Sequence, residues 1–220
     1  AEVNLQNSID ITALLLAADQ GYERVVDLLL RHGAEVNLQS SSGWTALMNA
    51  AFQGFERVVE LLLLQRGAEI NLQSTNGFTA LMYAADQGHE RVVDLLIRHG
   101  AEVNLQRSEG WTALMFAAHE GCPAVVRRLL RAGADTLLRS QDNSTALGIA
   151  SNARKAISNH NGYSECVRAL EDAAEAEAVR RGDALLAEIE AEEEAEKRAK
   201  VKKGKKKKKG KGGGSGAAGP

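Results

Sequence analysis

Thr12, Thr45, Thr79, Thr112 and Thr145 recur at separations of 33, 34, 33 and 33 residues, and nothing else in the chain constrains its fold as strongly. Each introduces a variant of one segment, clearest at residues 77–104, GFTALMYAADQGHERVVDLLIRHGAEVN. Gly33, Gly67, Gly100 and Gly133 keep a second ruler, with separations of 34, 33 and 33. Both rulers place one extra residue in the second unit, expected within Leu61–Leu64. Such a chain is an array of small units, none of which can bury its apolar side alone, so neighbours must stack.

The residues of one unit predict two helices. Thr79 can cap the first by accepting from a free backbone N–H. Leu81, Ala84 and Ala85 follow at helical spacing on one face, and the alanines let a second helix come close. Gly88 permits a sharp turn. Val92, Val93, Leu95 and Leu96 then form the buried side of a second helix, with Glu90, Arg91, Asp94 and Arg98 outside. His99 in the last turn suits the helix dipole, and Gly100 is a left-handed stop.

A period near 33 with two helices per unit, together with the motifs G-x-T-A-L, A-A-x-x-G, V-V-x-L-L and G-A-E-V-N, resembles the ankyrin-repeat family from Ala1 to about Leu170. Where that family commonly reads Thr-Pro-Leu-His, this chain reads Thr-Ala-Leu followed by Leu, Met or Gly. The resemblance implies an all-α solenoid of helix-turn-helix units with short hairpin-like connections. The expected division is a stack over 1–170: a partial unit at 1–8, then five units, the last divergent with an insertion at 152–161. An acidic, Ala/Glu-rich helical extension follows at 171–200 and a Lys/Gly-rich disordered tail at 201–220. The opening AEVNLQ reads as the end of a preceding unit, so further repeats are expected upstream.

Charge separates these parts. The net −2 is −4 over residues 1–170, −9 over 171–196 and +11 over 197–220. The repeat body therefore offers no basic footprint for a nucleic-acid duplex. The extension is expected to break at Gly182 and restart at Asp183, with Leu185, Leu186 and Ile189 forming an apolar patch able to cover the open end of the stack. The insertion from Asn152 is expected to project as a loop. Cys122 and Cys166 offer no disulfide framework, and no apolar run reaches the ~20 residues of a membrane span. A cytoplasmic monomer is expected, with the nucleus as the alternative. Asn143-Ser144-Thr145 is read as a helix start rather than a glycan site.

No arrangement of residues points to catalysis. His32 and His99 share one slot just before the terminal glycine, which favours capping. His89 and His160 carry no motif, and His119 with Cys122 makes only half a metal site. There is no phosphate-binding loop and no dinucleotide fingerprint, so no cofactor and no metal are expected.

Variation is concentrated at three slots. Before each threonine stand Ile11, Trp44, Phe78, Trp111 and Ser144. Four residues after it stand Leu16, Asn49, Tyr83, Phe116 and Ile149. After the alanine pair stand Asp19/Gln20, Phe52/Gln53, Asp86/Gln87 and His119/Glu120. In the resembled family these slots line the concave groove that holds protein partners. Trp44, Asn49, Phe52, Gln53, Phe78, Tyr83, Asp86, Gln87, Trp111, Phe116, His119 and Glu120 are thus the candidate partner-binding residues, with packing between turns as the competing role of the aromatics. The acids favour a partner with some positive charge.

Two further features remain. Asn37, Asn71 and Asn104, each in a G-A-E-V-N-type turn, look like sites that asparaginyl hydroxylases modify in this family; the plainer expectation is that they bond backbone in the turn. Lys202, Lys203, Lys205, Lys206, Lys207, Lys208, Lys209 and Lys211 could hold RNA, DNA or an anionic surface through counterion release, or solvate a tail. The favoured function is a non-enzymatic protein-binding adaptor. The alternatives are a nucleic-acid-associated or nucleolar factor, and the regulatory repeats of a larger enzyme.

Overall fold

The computed structural model describes residues 2–65, 67–156 and 161–209, with the side chains of 187, 189, 190 and 192–209 outside that description. All its regular elements are helical. In order they are α1 (Ala13–Asp19), α2 (Glu23–Arg31), α3 (Ala46–Gln53), α4 (Glu56–Leu63), α5 (Ala80–Asp86), α6 (Glu90–Arg98), α7 (Ala113–His119), α8 (Pro123–Arg131), α9 (Ala146–Ala156) and α10 (Asn161–Lys209). The chain forms two units, Ala1–Ala173 and Ala174–Pro220.

Within the first unit, α1, α3, α5, α7 and α9 pack each on the next, and α2, α4, α6 and α8 form a second row beside them. Each first helix starts where the sequence says it must: the hydroxyl of Thr12, Thr45, Thr79 and Thr112 accepts from the N–H three residues on, at 3.2–3.3 Å. Thr145 does the same for Gly148 N–H at 3.3 Å, so the Asn143-Ser144-Thr145 segment is a helix start. The alanines Ala50, Ala51, Ala84, Ala85, Ala117 and Ala118 are fully buried between first helices, where a larger side chain would hold neighbours apart. Val58, Val59 and Leu62 of α4, and Val93 and Leu96 of α6, seal the second row. His32 and His99 close their helices through Nδ1, 2.8 and 2.9 Å from the carbonyls of Leu28 and Leu95.

The connections are hairpin-like tips. Ser40, Ser74, Arg107 and Ser140 each donate their N–H to the carbonyl four residues on at 2.9–3.0 Å. Adjacent tips are joined: Ser41 N–H donates to Ile9 O, Thr75 N–H to Ser42 O and Gln141 N–H to Glu109 O, at 3.2, 3.1 and 2.9 Å. Gly43 shows why the turn needs glycine. Its φ is 76°, and an added Cβ would lie 2.5 Å from the backbone nitrogen of Thr75.

Burial narrows where in the second unit the extra residue falls. Leu62 keeps the buried position that Leu96 and Leu129 hold in their units, seven residues after Phe55, His89 and Cys122 respectively. The insertion is taken up at the end of the leucine run, after α4 ends at Leu63, where Leu64 is exposed. Other expectations are corrected. Residues 152–156 extend α9 rather than opening a loop, because Asn152–Ala156 contains neither proline nor glycine to stop it; residues 157–160, including His160, lie outside the described residues. The helix does not break at Gly182, since alanine and glutamate on both sides favour continuity and one glycine costs only about 1 kcal/mol. It runs on through Lys209, past the Lys200 boundary expected for a disordered tail. Finally, Leu185 and Leu186 are exposed; the side chain of Ile189 lies outside the described residues. Lys211 and the rest of 210–220 also fall outside them.

The start of α10 closes the stack. Tyr163, Cys166, Val167 and Leu170 are buried, and Glu165 pairs with Arg127 of α8 at 3.2 Å.

Candidate functional site

The first helices and the tips place the variable slots on one face. Each tip delivers its aromatic to the same height, because the hairpin fixes the residue before the capping threonine. Trp44, Phe78 and Trp111 are half-buried there, while Tyr83 and Phe116, from the middle of α5 and α7, are buried between them. The result is one interleaved strip. Tyr83 lies 4.3 Å from Trp44 and 4.7 Å from Phe78, between ring centroids. Phe116 lies 4.9 Å from Phe78 and 5.0 Å from Trp111. Phe52 meets Trp44 and Tyr83 edge-on at 5.8 and 5.9 Å. His119 meets Trp111 edge-on at 5.6 Å. Offset and edge-on ring pairs of this kind add ~0.5–1.5 kcal/mol each beyond the area they bury.

The aromatics therefore pack on one another across repeats and also present half-exposed edges. Ile11 and Leu16 at one end, and Ser144 and Ile149 at the other, do not extend the rings. Exposed polar residues rim the strip: Gln53, Gln87, His119 and Glu120. Gln53 Nε2 donates to Asp19 Oδ1 across the repeat boundary at 3.2 Å, and Gln87 Nε2 to Asp86 Oδ2 at 2.8 Å. Burial pushes the Asp86 carboxyl above the usual carboxylate range, with Glu120 adding to the rise. Burial likewise raises the Tyr83 hydroxyl. Asn49 is short; its Nδ2 reaches Leu15 O at 3.5 Å.

One participant is absent from the list read off the sequence. Arg107 lies over the strip, its guanidinium carbon 4.7 Å from the Phe78 centroid and 5.9 Å from that of Phe116. Its Nε donates to Glu109, which holds that carboxyl down at about 2. The signal was available: the slot of Arg107 holds serine in the neighbouring tips, Ser40, Ser74 and Ser140.

Two hollows open along the face. One, of about 350 Å³, is lined by Ile11, Leu15, Leu16, Asp19, Ser40, Ser42, Trp44, Asn49, Phe52 and Gln53. The other, also about 350 Å³, is bounded by Asp86, Arg107, Glu109, Trp111, Phe116, His119 and Glu120.

The asparagines do something the sequence did not suggest. Asn71 Oδ1 accepts from Glu102 N–H at 2.9 Å while its Nδ2 donates to Glu102 Oε1 at 3.0 Å. Asn37 spans to Gly67 and Glu69, and Asn104 to Gly133 and Asp135, in the same way. Each bonds the next repeat rather than its own turn.

Burial pushes the Cys122 thiol up, with Glu120 and Asp86 adding, the reverse of what a thiolate nucleophile requires. Cys166 is pushed up to about 12 by burial. Among the described residues no three His, Cys, Asp or Glu side chains gather as a metal site. No helix among them is long and apolar enough to cross a membrane.

A family model of ankyrin repeats (three copies) matches residues 1–74, 63–140 and 81–181. The chain belongs to the ankyrin-repeat family. Repeats of this family are in general protein–protein interaction modules, and the family is typically non-catalytic. Comparison with curated proteins returns no match.

Proposed function

We propose that the chain is a non-enzymatic adaptor that holds a protein partner along the face carrying the aromatic strip. The observation that supports this most is the half-exposure of Trp44, Phe52, Phe78 and Trp111 in one line, rimmed by polar side chains and flanked by two hollows. Aromatic anchors in a polar rim are what protein interfaces concentrate their binding free energy in. Truncating the rings would also remove packing between repeats, so the decisive variants are at the exposed rim. Peptides selected on the full chain from a random displayed library should lose binding at least tenfold when Gln53, Gln87 and Glu120 are together changed to Arg. Arg31→Glu and Arg57→Glu, on the second helices, should leave it intact. Selected peptides indifferent to the rim change would refute the reading.

The lysine-rich segment supports a second activity of a different kind. Residues 197–220 carry +11 and no acid, and no aromatic interrupts the lysines, so any polyanion would be held without base stacking and without sequence preference. Retention on heparin or RNA should fall steeply with salt and vanish when the chain is truncated after Glu196. Equal retention by the truncated chain would assign it to another surface. Lys202, Lys203, Lys205 to Lys209 and Lys211 are the residues proposed to act.

A further inference from the structure

The hollow beside Trp44 exists because one ring is missing. In the third and fourth repeats Tyr83 sits between Trp44 and Phe78, and Phe116 between Phe78 and Trp111. The equivalent place in the second repeat lies between Ile11 and Trp44, and there the chain carries Asn49, too short to fill it. What remains is an apolar floor from Leu15 and Leu16, walls from the perpendicular rings of Trp44 and Phe52, and Asp19 at the rim.

Among the described residues no basic side chain is paired with Asp19. Its carboxylate accepts from the side-chain amides of Gln20 at 2.8 Å and Gln53 at 3.2 Å, and no basic side chain lines the hollow. The same molecule shows how this face handles a guanidinium. Arg107 lies over the rings of Phe78 and Phe116 while Glu109 accepts from its Nε. Rings and a carboxylate are thus occupied there by the chain's own cation. At Trp44, Phe52 and Asp19 the same components are present without one.

We infer that this hollow receives an arginine or lysine side chain from an extended peptide segment of the partner, its stem on Leu15, Leu16 and the rings and its cationic head on Asp19. A cation held over an aromatic face and against a carboxylate gains from both, more so as water is displaced. An acidic or purely apolar side chain would leave Asp19 unpaired or repelled. The inference rests on the reading of this face as the partner surface and adds the chemistry of one anchor.

The test uses the full chain, isotope-labelled for NMR, and the pentapeptide acetyl-Gly-Ser-Arg-Ser-Gly-amide. The comparison is the same peptide with citrulline, which keeps the shape of arginine and removes its charge. The arginine peptide should give saturable shifts at the Trp44 indole N–H and the methyls of Leu15 and Leu16. Citrulline should bind at least fivefold more weakly. Asp19→Asn should bring arginine down to the citrulline level. Asn49→Tyr supplies the missing ring and should abolish the shifts; the third repeat already buries tyrosine in that slot, and an unchanged thermal transition would show that the variant folds. Equal binding of arginine and citrulline, shifts that persist in Asn49→Tyr, or no saturable shift at Trp44 up to 20 mM peptide would each overturn the inference. If library-selected peptides depend on the Gln53, Gln87 and Glu120 rim yet carry no arginine or lysine, the partner face stands and only this anchor fails. If selected peptides ignore the rim, both fail.

Discussion

At the scale of single residues, glycine and asparagine show best how one repeat is held to the next. Gly54 has φ 79°, and an added Cβ would lie 2.6 Å from the ring of His89, whose Nε2 is 2.9 Å from Phe52 O. Gly54→Ala therefore combines left-handed strain with displacement of an inter-repeat hydrogen bond, and should cost ~1–3 kcal/mol in denaturant unfolding. Gly33→Ala carries only the strain, since nothing lies within 4 Å of its added Cβ, and should cost less. A Gly33 variant as damaging as the Gly54 variant would show that crowding against His89 is unimportant. Asn71→Ala removes two bonds to Glu102 and should cost about 1–2 kcal/mol; because both ends of that side chain are engaged, mass spectrometry of native protein should find no added oxygen at Asn37, Asn71 or Asn104. The Glu109 carboxyl offers a pH measurement. Its folded value lies below the unfolded one, near 4.5, so the Arg107 pairing contributes fully above 4.5 and is lost as pH falls toward about 2. NMR titration should place Glu109 near 2 in the native chain and return it toward 4.5 in Arg107→Ala.

At the scale of elements, the legible parts were those that repeat. Capping threonines, buried valines and helix-ending glycines could be read because four or five copies vote on each slot, and a residue that recurs with the period is fixed by the fold. Features that occur once were less legible for the same reason. The extra residue of the second unit could be assigned only to the leucine run as a whole; burial holds Leu62 in register and leaves the insertion at the run's end, in the turn after Leu63. Deleting exposed Leu64 should consequently be tolerated within about 0.5 kcal/mol, whereas deleting Leu62 would shift α4 against its neighbours and should unfold the chain. The aromatic strip was half legible. Its members could be named slot by slot, but not that Tyr83 and Phe116 interleave with the tip residues, nor that Arg107 lies on them, because the interleaving depends on contacts that cross from one repeat to the next, Trp44 to Tyr83, Phe78 to Phe116 and Phe78 to Arg107. The last unit illustrates tertiary override. Its helix α10 has weak apolar spacing, but Cys166, Val167 and Leu170 are buried. Alkylation of Cys166 at neutral pH should therefore await opening of this unit, since burial both blocks the thiol and pushes it up to about 12. Labelling of Cys166 as fast as a free thiol would mean that α10 does not seal the stack.

At the scale of the whole stack, Ala1–Ala173, stability is a sum of units and the interfaces between them, so the same side chain should matter differently according to how many neighbours its repeat has. Leu28 and Leu95 occupy one slot, six residues after Tyr22 and His89. Leu28 is 56 % exposed and Leu95 6 % exposed, because α6 packs between α4 and α8 while α2 packs only against α4 in its row. Leu95→Ala should cost about 2–5 kcal/mol, the range for emptying a packed core site. Leu28→Ala should stay within about 0.5 kcal/mol. The argument extends to exchange of backbone amides: in a chain of these 220 residues, α1 and α2 have one neighbouring pair and should lose protection first, ahead of α4 to α7, which have two. Equal costs for the two leucine variants, with amide protection uniform from α1 to α8, would mean that the repeats are stabilised individually. The face that carries Trp44, Phe78 and Trp111 would then lack the rigid alignment from which its proposed role follows.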